Sequence, residues 1–221
     1  AYSDSVLSAV DYTLKKKAIA KFKKFPFYNE IKLFYNYDPR VFECNNYSFN
    51  PIERIIKDEN IQADNICLEL SEKHKFDFSK LNQLLIKTRE HSLQIALDDF
   101  GSGFSGLELF FNTEPEIIKF DKFLISGIDY TVKKHIFTSQ LLDLAKKQGA
   151  IVIAEGVETE EEYLTCKEIG FDLVQGYFIQ RPTCIIEEIN LFDTNDFISS
   201  NKLDKYISSD EEREDLLLFT F

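Results

Sequence analysis

The sequence has no methionine, even at position 1, and no C-x-x-C pair among its four cysteines. A translation product normally begins with Met, so the 221 residues are expected to be part of a longer polypeptide. Cys67 lies inside an apolar, strand-like run, and Cys44, Cys166 and Cys184 are scattered. That spacing speaks against a disulfide framework and fits reduced, mostly buried thiols of a cytoplasmic protein or of the cytoplasmic part of a membrane-bound sensor. No apolar run is long enough to span a bilayer, and no secretory leader is recognisable. The three histidines (His74, His91, His135) lack the spacing of a zinc site.

Basic charge is also scarce. With 26 basic against 38 acidic residues the net charge is −12, which argues against binding polymeric nucleic acid, a partner that usually needs a basic surface. A small phosphorylated ligand held through metal ions is still compatible with such a chain. The available ligands are oxygens, which points to Mg²⁺ or Mn²⁺. There is no linker and no low-complexity stretch, so residues 1–221 read as one α/β domain.

What is present is a recurring unit: a short apolar run, a loop, then a helix pattern. The runs are "IKLFYN" ending at Asn36, "ICLEL" ending near Glu69, "LQIALDD" ending at Asp99, "EIIKFD" ending at Asp121, "AIVIAE" ending at Glu155, and "DLVQGYF" containing Gln175. Strands alternating with helices imply a parallel sheet. Leu81, Leu84, Leu85 and Thr88 follow the helical i, i+3, i+4, i+7 spacing. "TEEE" at Thr159–Glu162 reads as a capping box, and Gly170 stands where that helix should stop. Leu141, Leu142, Leu144 and Ala145 precede Gly149, a second stop. "TLKKKAIAKFKKFPF" reads as a basic amphipathic stretch with a solvated face. Residues 186–221 are expected to form a helical tail packed on the domain.

Each run ends at or just before a polar residue able to bind metal or phosphate: Asn36, Glu69, Asp98 with Asp99, Lys119 with Asp121, Glu155, and Gln175. In a parallel α/β sheet all the strand C-termini lie on one face, so these residues should converge. Two adjacent carboxylates repel by about 4 kcal/mol at the effective dielectric of a protein surface. A divalent cation relieves that repulsion, and two such ions about 3.5–4 Å apart serve in-line attack of water on a phosphodiester. Simpler roles stand beside this one. Glu72, Asp121 and Glu158 read equally as surface charges, Gln175 as a loop cap, and Lys119 as an ion-pair partner of Asp98 or Asp99.

Five segments in this order, "NICLELSE", "IALDDFGSGFSGL", "IIKFD", "VIAEGVET" and "QGYFIQRP", resemble the EAL domain family of bacterial cyclic di-GMP phosphodiesterases. The resemblance implies a modified TIM (β/α)8 barrel that hydrolyses cyclic di-GMP to linear pGpG with two Mg²⁺ or Mn²⁺ ions. It implies Asn36, Glu69, Asp98, Asp99 and Glu155 as metal ligands, and Lys119 and Glu155 as the catalytic pair acting on the attacking water. Asp121 and Gln175 would support the metal–water–substrate network. Glu72 would hold the loop containing Gly101, Ser102 and Gly103, which links the metal site to a homodimer contact. A fused or partner sensory or GGDEF domain is expected upstream.

The chain departs from the family at its start. No Glu-Ala-Leu strand occurs, an earlier strand is also missing, and about six of eight strands are legible. The alternative implied by that departure is a catalytically inactive receptor for cyclic di-GMP, or a protein-interaction module.

Overall fold

All six runs form parallel strands in the computed structural model, which describes residues 4–25, 28–38, 50–73, 76–103, 105–183 and 219–220. The strands are β1 (Leu33–Asn36), β2 (Ile66–Ser71), β3 (Gln94–Phe100), β4 (Ile117–Phe120), β5 (Ile151–Glu155) and β6 (Leu173–Gln175), each parallel to the next. A two-residue strand, β7 (Phe219–Thr220), pairs in parallel with the outer edge of β1. Helix α1 (Asp4–Phe22) precedes β1, and between the strands run α2 (Asn50–Glu59), α3 (Phe78–Glu90), α4 (Gly106–Thr113), α5 (Lys122–Ile125), α6 (Val132–Lys147) and α7 (Glu160–Ile169). The described strands form an open row from β6 to β7, a partial barrel. Apart from Phe219 and Thr220, the tail expected over 186–221 lies outside the described residues.

Side chains alternate across a strand, so the sheet has two different faces. On the helix side, Leu68 and Leu70 of β2, Ile95 and Leu97 of β3, and Ile118 and Phe120 of β4 are buried with Leu81, Leu84 and Leu85 of α3 and Leu142 of α6. Full burial of such side chains contributes about 1.5–3 kcal/mol each. The opposite face carries a smaller cluster of Phe34, Cys67, Ala96, Ile117 and Ile153, with Leu173 packed against it. Two residues beyond each of these comes Asn36, Glu69, Asp98, Lys119, Glu155 or Gln175. An apolar floor therefore underlies a polar mouth, because a step of two keeps a side chain on the same face.

Local chemistry sets the helix ends. Asp77 caps α3, its carboxylate accepting the Ser79 and Lys80 N–H groups at 2.9 and 3.2 Å. The Thr159–Glu162 capping box opens α7, and Gly170 closes it with φ +97°. Gly149 follows α6 with φ +84°, a left-handed conformation that only glycine adopts cheaply. The face of α1 is not wholly solvated: Lys15 is 97% buried, since its relative exposure is 3%. Its Nζ lies 2.6 Å from Asp11 and 5.4 Å from the Tyr35 and Tyr37 ring centroids, so an ion pair and two aromatic faces accompany it inward.

Candidate functional site

The deepest charged group at the mouth is the Lys119 ammonium on β4, with 2% of its side chain exposed. Its Nζ lies 2.6 Å from Glu69 Oε1 on β2, 2.6 Å from Glu155 Oε1 on β5, and 3.3 Å from Asp98 Oδ1 on β3. Four parallel strands thus deliver one cation and three carboxylates to one point. Below them the Phe34 ring faces Nζ at 5.6 Å. Exposure grades upward, from Glu69 at 0% to Asp98 at 16% and Glu155 at 15%.

Three carboxylates sharing one ammonium leave an excess of negative charge, and proton affinities reflect it. Burial, with repulsion from Asp98 and Asp99, raises Glu69 even though Lys119 pulls it down. Burial likewise pushes Glu155 up to about 7, against the pull of Lys119 and with Asp98 and Glu69 adding to the rise. Burial disfavours charge on Lys119, but Glu155, Glu69 and Asp98 outweigh it and raise its affinity above the ordinary lysine range. The ammonium stays protonated, and Glu155 is the carboxylate poised near neutrality.

Asp99 reaches the mouth by a backbone irregularity. In a regular strand it would face away from Asp98. The β3–β4 register slips between Leu97 and Phe100, and Asp99 has φ +57°. A bulge with a left-handed residue re-aims the side chain, and Asp tolerates that conformation better than most residues. Ser71 Oγ donates to Asp99 Oδ2 at 2.9 Å, and Lys73 Nζ lies 2.8 Å from Oδ1. Burial works to raise Asp99, but the hydrogen bonds from Lys73 and Ser71 and the charge of Lys73 hold it below the usual value. Phe100 then returns to the core, its ring 5.3 Å from Phe120.

The remaining candidates take varied positions. Asp121 caps α5 by accepting the Phe123 N–H at 2.7 Å. The Gln175 carbonyl accepts the Val157 N–H at 3.1 Å. Asn36 is exposed at the end of β1. Glu72, 5% exposed, accepts hydrogen bonds from Ser102 Oγ at 3.0 Å and from the Gly103 N–H. A Cβ on Gly106 would stand 2.0 Å from Glu72 Oε2, so glycine lets α4 begin against that carboxylate. Gly101, φ +94°, turns the loop above Leu124. Glu158 pairs with Lys122 at the exposed rim.

The sequence reading missed Ser71 and Lys73. Both continue the step of two from Glu69, so the alternation running past the end of β2 was the signal. Among the described residues, no three acidic, thiol or imidazole side chains enclose a metal-sized gap, because the Lys119 ammonium stands among them. The donors nonetheless fit a hard divalent cation. They are carboxylate oxygens, and Glu69 Oε2 is buried without a hydrogen-bond partner.

The profile of the EAL domain family matches residues 1–182. A protein of Escherichia coli (strain K12) named "Probable cyclic di-GMP phosphodiesterase PdeA" is 30% identical over 132 residues, 59% of this chain and 18% of its own length. A standalone EAL protein from Vibrio cholerae O395, solved in its c-di-GMP bound form, superposes with a TM-score of 0.72 at 27% identity, covering 79% of this chain and 73% of that one. BlrP1 of Klebsiella pneumoniae, solved as a manganese/cy-diGMP complex at pH 6, superposes with a TM-score of 0.74 at 27% identity, covering 79% of this chain and 44% of that one. The chain spans about a fifth to a quarter of the length of the curated relatives it matches.

Proposed function

We propose, from the premise that this chain belongs to the EAL domain family, that it is a metal-dependent phosphodiesterase opening cyclic di-GMP to linear pGpG. The observation that carries this reading is the gathering of Glu69, Asp98 and Glu155, from three strands, around Lys119. Asn36, Glu69, Asp98, Asp99 and Glu155 would hold two Mg²⁺ or Mn²⁺ ions, whose charge neutralises the phosphate and acidifies a water. Lys119 keeps its proton and so orients the attacking water or a phosphoryl oxygen rather than acting as base. Glu155, whose carboxylate stands 2.6 Å from Lys119 Nζ, would take the proton from that water. Water oxygen bonds to phosphorus as the bond to the ribose 3′-oxygen breaks, and the leaving oxygen takes up a proton from solvent. Asp121 and Gln175 line the surrounding network. Glu72 ties the Ser102–Gly103 loop to the strand that carries Glu69.

The same reading names a homodimer, which the exposed Leu107 and Phe111 of α4 and Phe123 of α5 support as an apolar face. A GGDEF or sensory partner upstream and a cytoplasmic setting belong to the proposal as well. Among the described residues no helix is long and apolar enough to cross a membrane.

The test is product analysis with Mg²⁺ and Mn²⁺. The chain forms pGpG, and Asp98→Ala reduces the rate by at least about a hundredfold while retaining the fold, more than the loss typical of groups one layer out from a metal. No pGpG with either ion overturns the enzymatic reading. The Lys119 ammonium standing among the three carboxylates favours a second reading, a receptor that binds cyclic di-GMP without turnover. Calorimetry with cyclic di-GMP and Ca²⁺ separates the two: binding heat without hydrolysis in any metal identifies the receptor.

A further inference from the structure

Lys73 lies just past the end of β2, and both of its ends belong to one ring of hydrogen bonds. Its backbone N–H donates to Ser71 Oγ at 3.3 Å, and that hydroxyl donates to Asp99 Oδ2 at 2.9 Å. Lys73 Nζ closes the ring, 2.8 Å from Asp99 Oδ1. A lysine stem ordinarily samples many rotamers, and that freedom is lost when a ligand fixes the head. Here the ring has already fixed it, although the side chain is 59% exposed. An ammonium carries three N–H donors. Among the described residues Asp99 is the one ion-pair partner of Lys73, so donors remain for a ligand. Lys119, 2% exposed, has instead as many carboxylate partners as donors. Lys122 at the rim is exposed too, but its ion pair is with Glu158 and no such ring holds it.

We propose that Lys73 is an anion subsite of the mouth, donating to a phosphate oxygen of the bound cyclic dinucleotide. This rests on the cyclic di-GMP reading above and adds a binding residue to it. Two phosphodiesters make that ligand dianionic, and the Asp98, Asp99 and Glu155 carboxylates repel it. An exposed ammonium that is already positioned supplies attraction at a low ordering cost. Hydrogen bonds between ionised partners are about twice as strong as neutral ones. The phosphate charge that Lys73 meets is present before reaction begins. The contact therefore holds substrate and transition state alike, and it acts on KM rather than on kcat.

The test is steady-state hydrolysis of cyclic di-GMP by the 221-residue chain at saturating Mn²⁺, with calorimetry of cyclic di-GMP binding in Ca²⁺ beside it. Lys73→Met raises KM about tenfold and leaves kcat within about twofold, the lower end for losing a hydrogen bond to a charged group. Kd in Ca²⁺ rises by the same factor. Lys73→Arg, which keeps charge and donors in a different shape, stays within about threefold of the unmodified chain. Added salt narrows the gap between Lys73→Met and the unmodified chain, because an exposed charge is screened. Unchanged KM and Kd in Lys73→Met overturn the inference and leave the phosphodiesterase reading standing. A fall in kcat at unchanged KM overturns it too, since Lys73 would then act only by holding Asp99. So does a loss in Lys73→Arg as large as in Lys73→Met, since charge would then be irrelevant. If the unmodified chain forms no pGpG, the enzymatic reading falls, and the Kd values still decide the role of Lys73. Absence of both turnover and binding heat overturns the two together.

Discussion

Glu155 makes the metal-free chain sensitive to pH in a definite direction. Its carboxyl is raised from 4.5 to about 7, so between those values the folded chain holds a proton that the unfolded chain has released. The resulting stability is complete below the unfolded value and is lost as pH rises through about 7, an effect on the order of 3 kcal/mol. Thermal melts of the chelator-treated protein between about pH 5 and pH 8 should fall with rising pH, and Glu155→Gln should flatten that slope. Equal slopes in the two proteins contradict the raised Glu155. The convergence of Glu69, Asp98, Lys119 and Glu155 was readable in advance because each closes an apolar run. Its internal pairing was not. The expectation joined Lys119 to Asp98 or Asp99, whereas Lys119 meets Asp98, Glu69 and Glu155, and Asp99 turns to Lys73. A bulge between Leu97 and Phe100 makes that division, and a bulge leaves no mark in hydrophobic periodicity.

At the scale of elements, Glu162 does more than complete a capping box. Its side chain accepts the Thr159 N–H at 3.3 Å and the Glu158 N–H at 2.8 Å, and the Gly127 N–H at 2.8 Å from the turn after α5. Glu162→Ala leaves buried N–H groups without acceptors and should cost about 2–3 kcal/mol. Glu162→Gln, which keeps one acceptor oxygen, should cost less; denaturant midpoints measure both, and an unshifted midpoint for the alanine variant removes Glu162 as a tie between α7 and α5. The box and the Gly170 stop were legible from local sequence because capping is a local interaction. Strand limits were less so. "DLVQGYF" yields only Leu173–Gln175, because at Gly176 the chain passes so near Val157 that a Cβ would stand 2.1 Å from its carbonyl oxygen. Close approach between segments is a tertiary fact that no window of sequence contains.

For the whole molecule, the strand order makes local stability uneven. β2 to β5 are each paired along both edges, β6 has one described neighbour, and β1 has its outer edge covered only at Leu33 and Phe34. Amide hydrogen exchange should therefore be slowest in β3 and β4 and faster in β6, because edge strands open without disturbing the centre. Exchange in β6 as slow as in β3 would mean that another segment covers that edge. The parallel order was foreseeable from alternating strand and helix patterns, and β7 was not, since two residues carry no periodicity. Finally, Lys119 gives the molecule a way to mature in steps. Its ammonium already balances part of the acidic crowd, so the strands can come together in ion-poor surroundings, with the lysine as a built-in placeholder. Assembly of the chain therefore needs no external cation, and under the proposed metal-dependent reading any ion would be taken up afterwards.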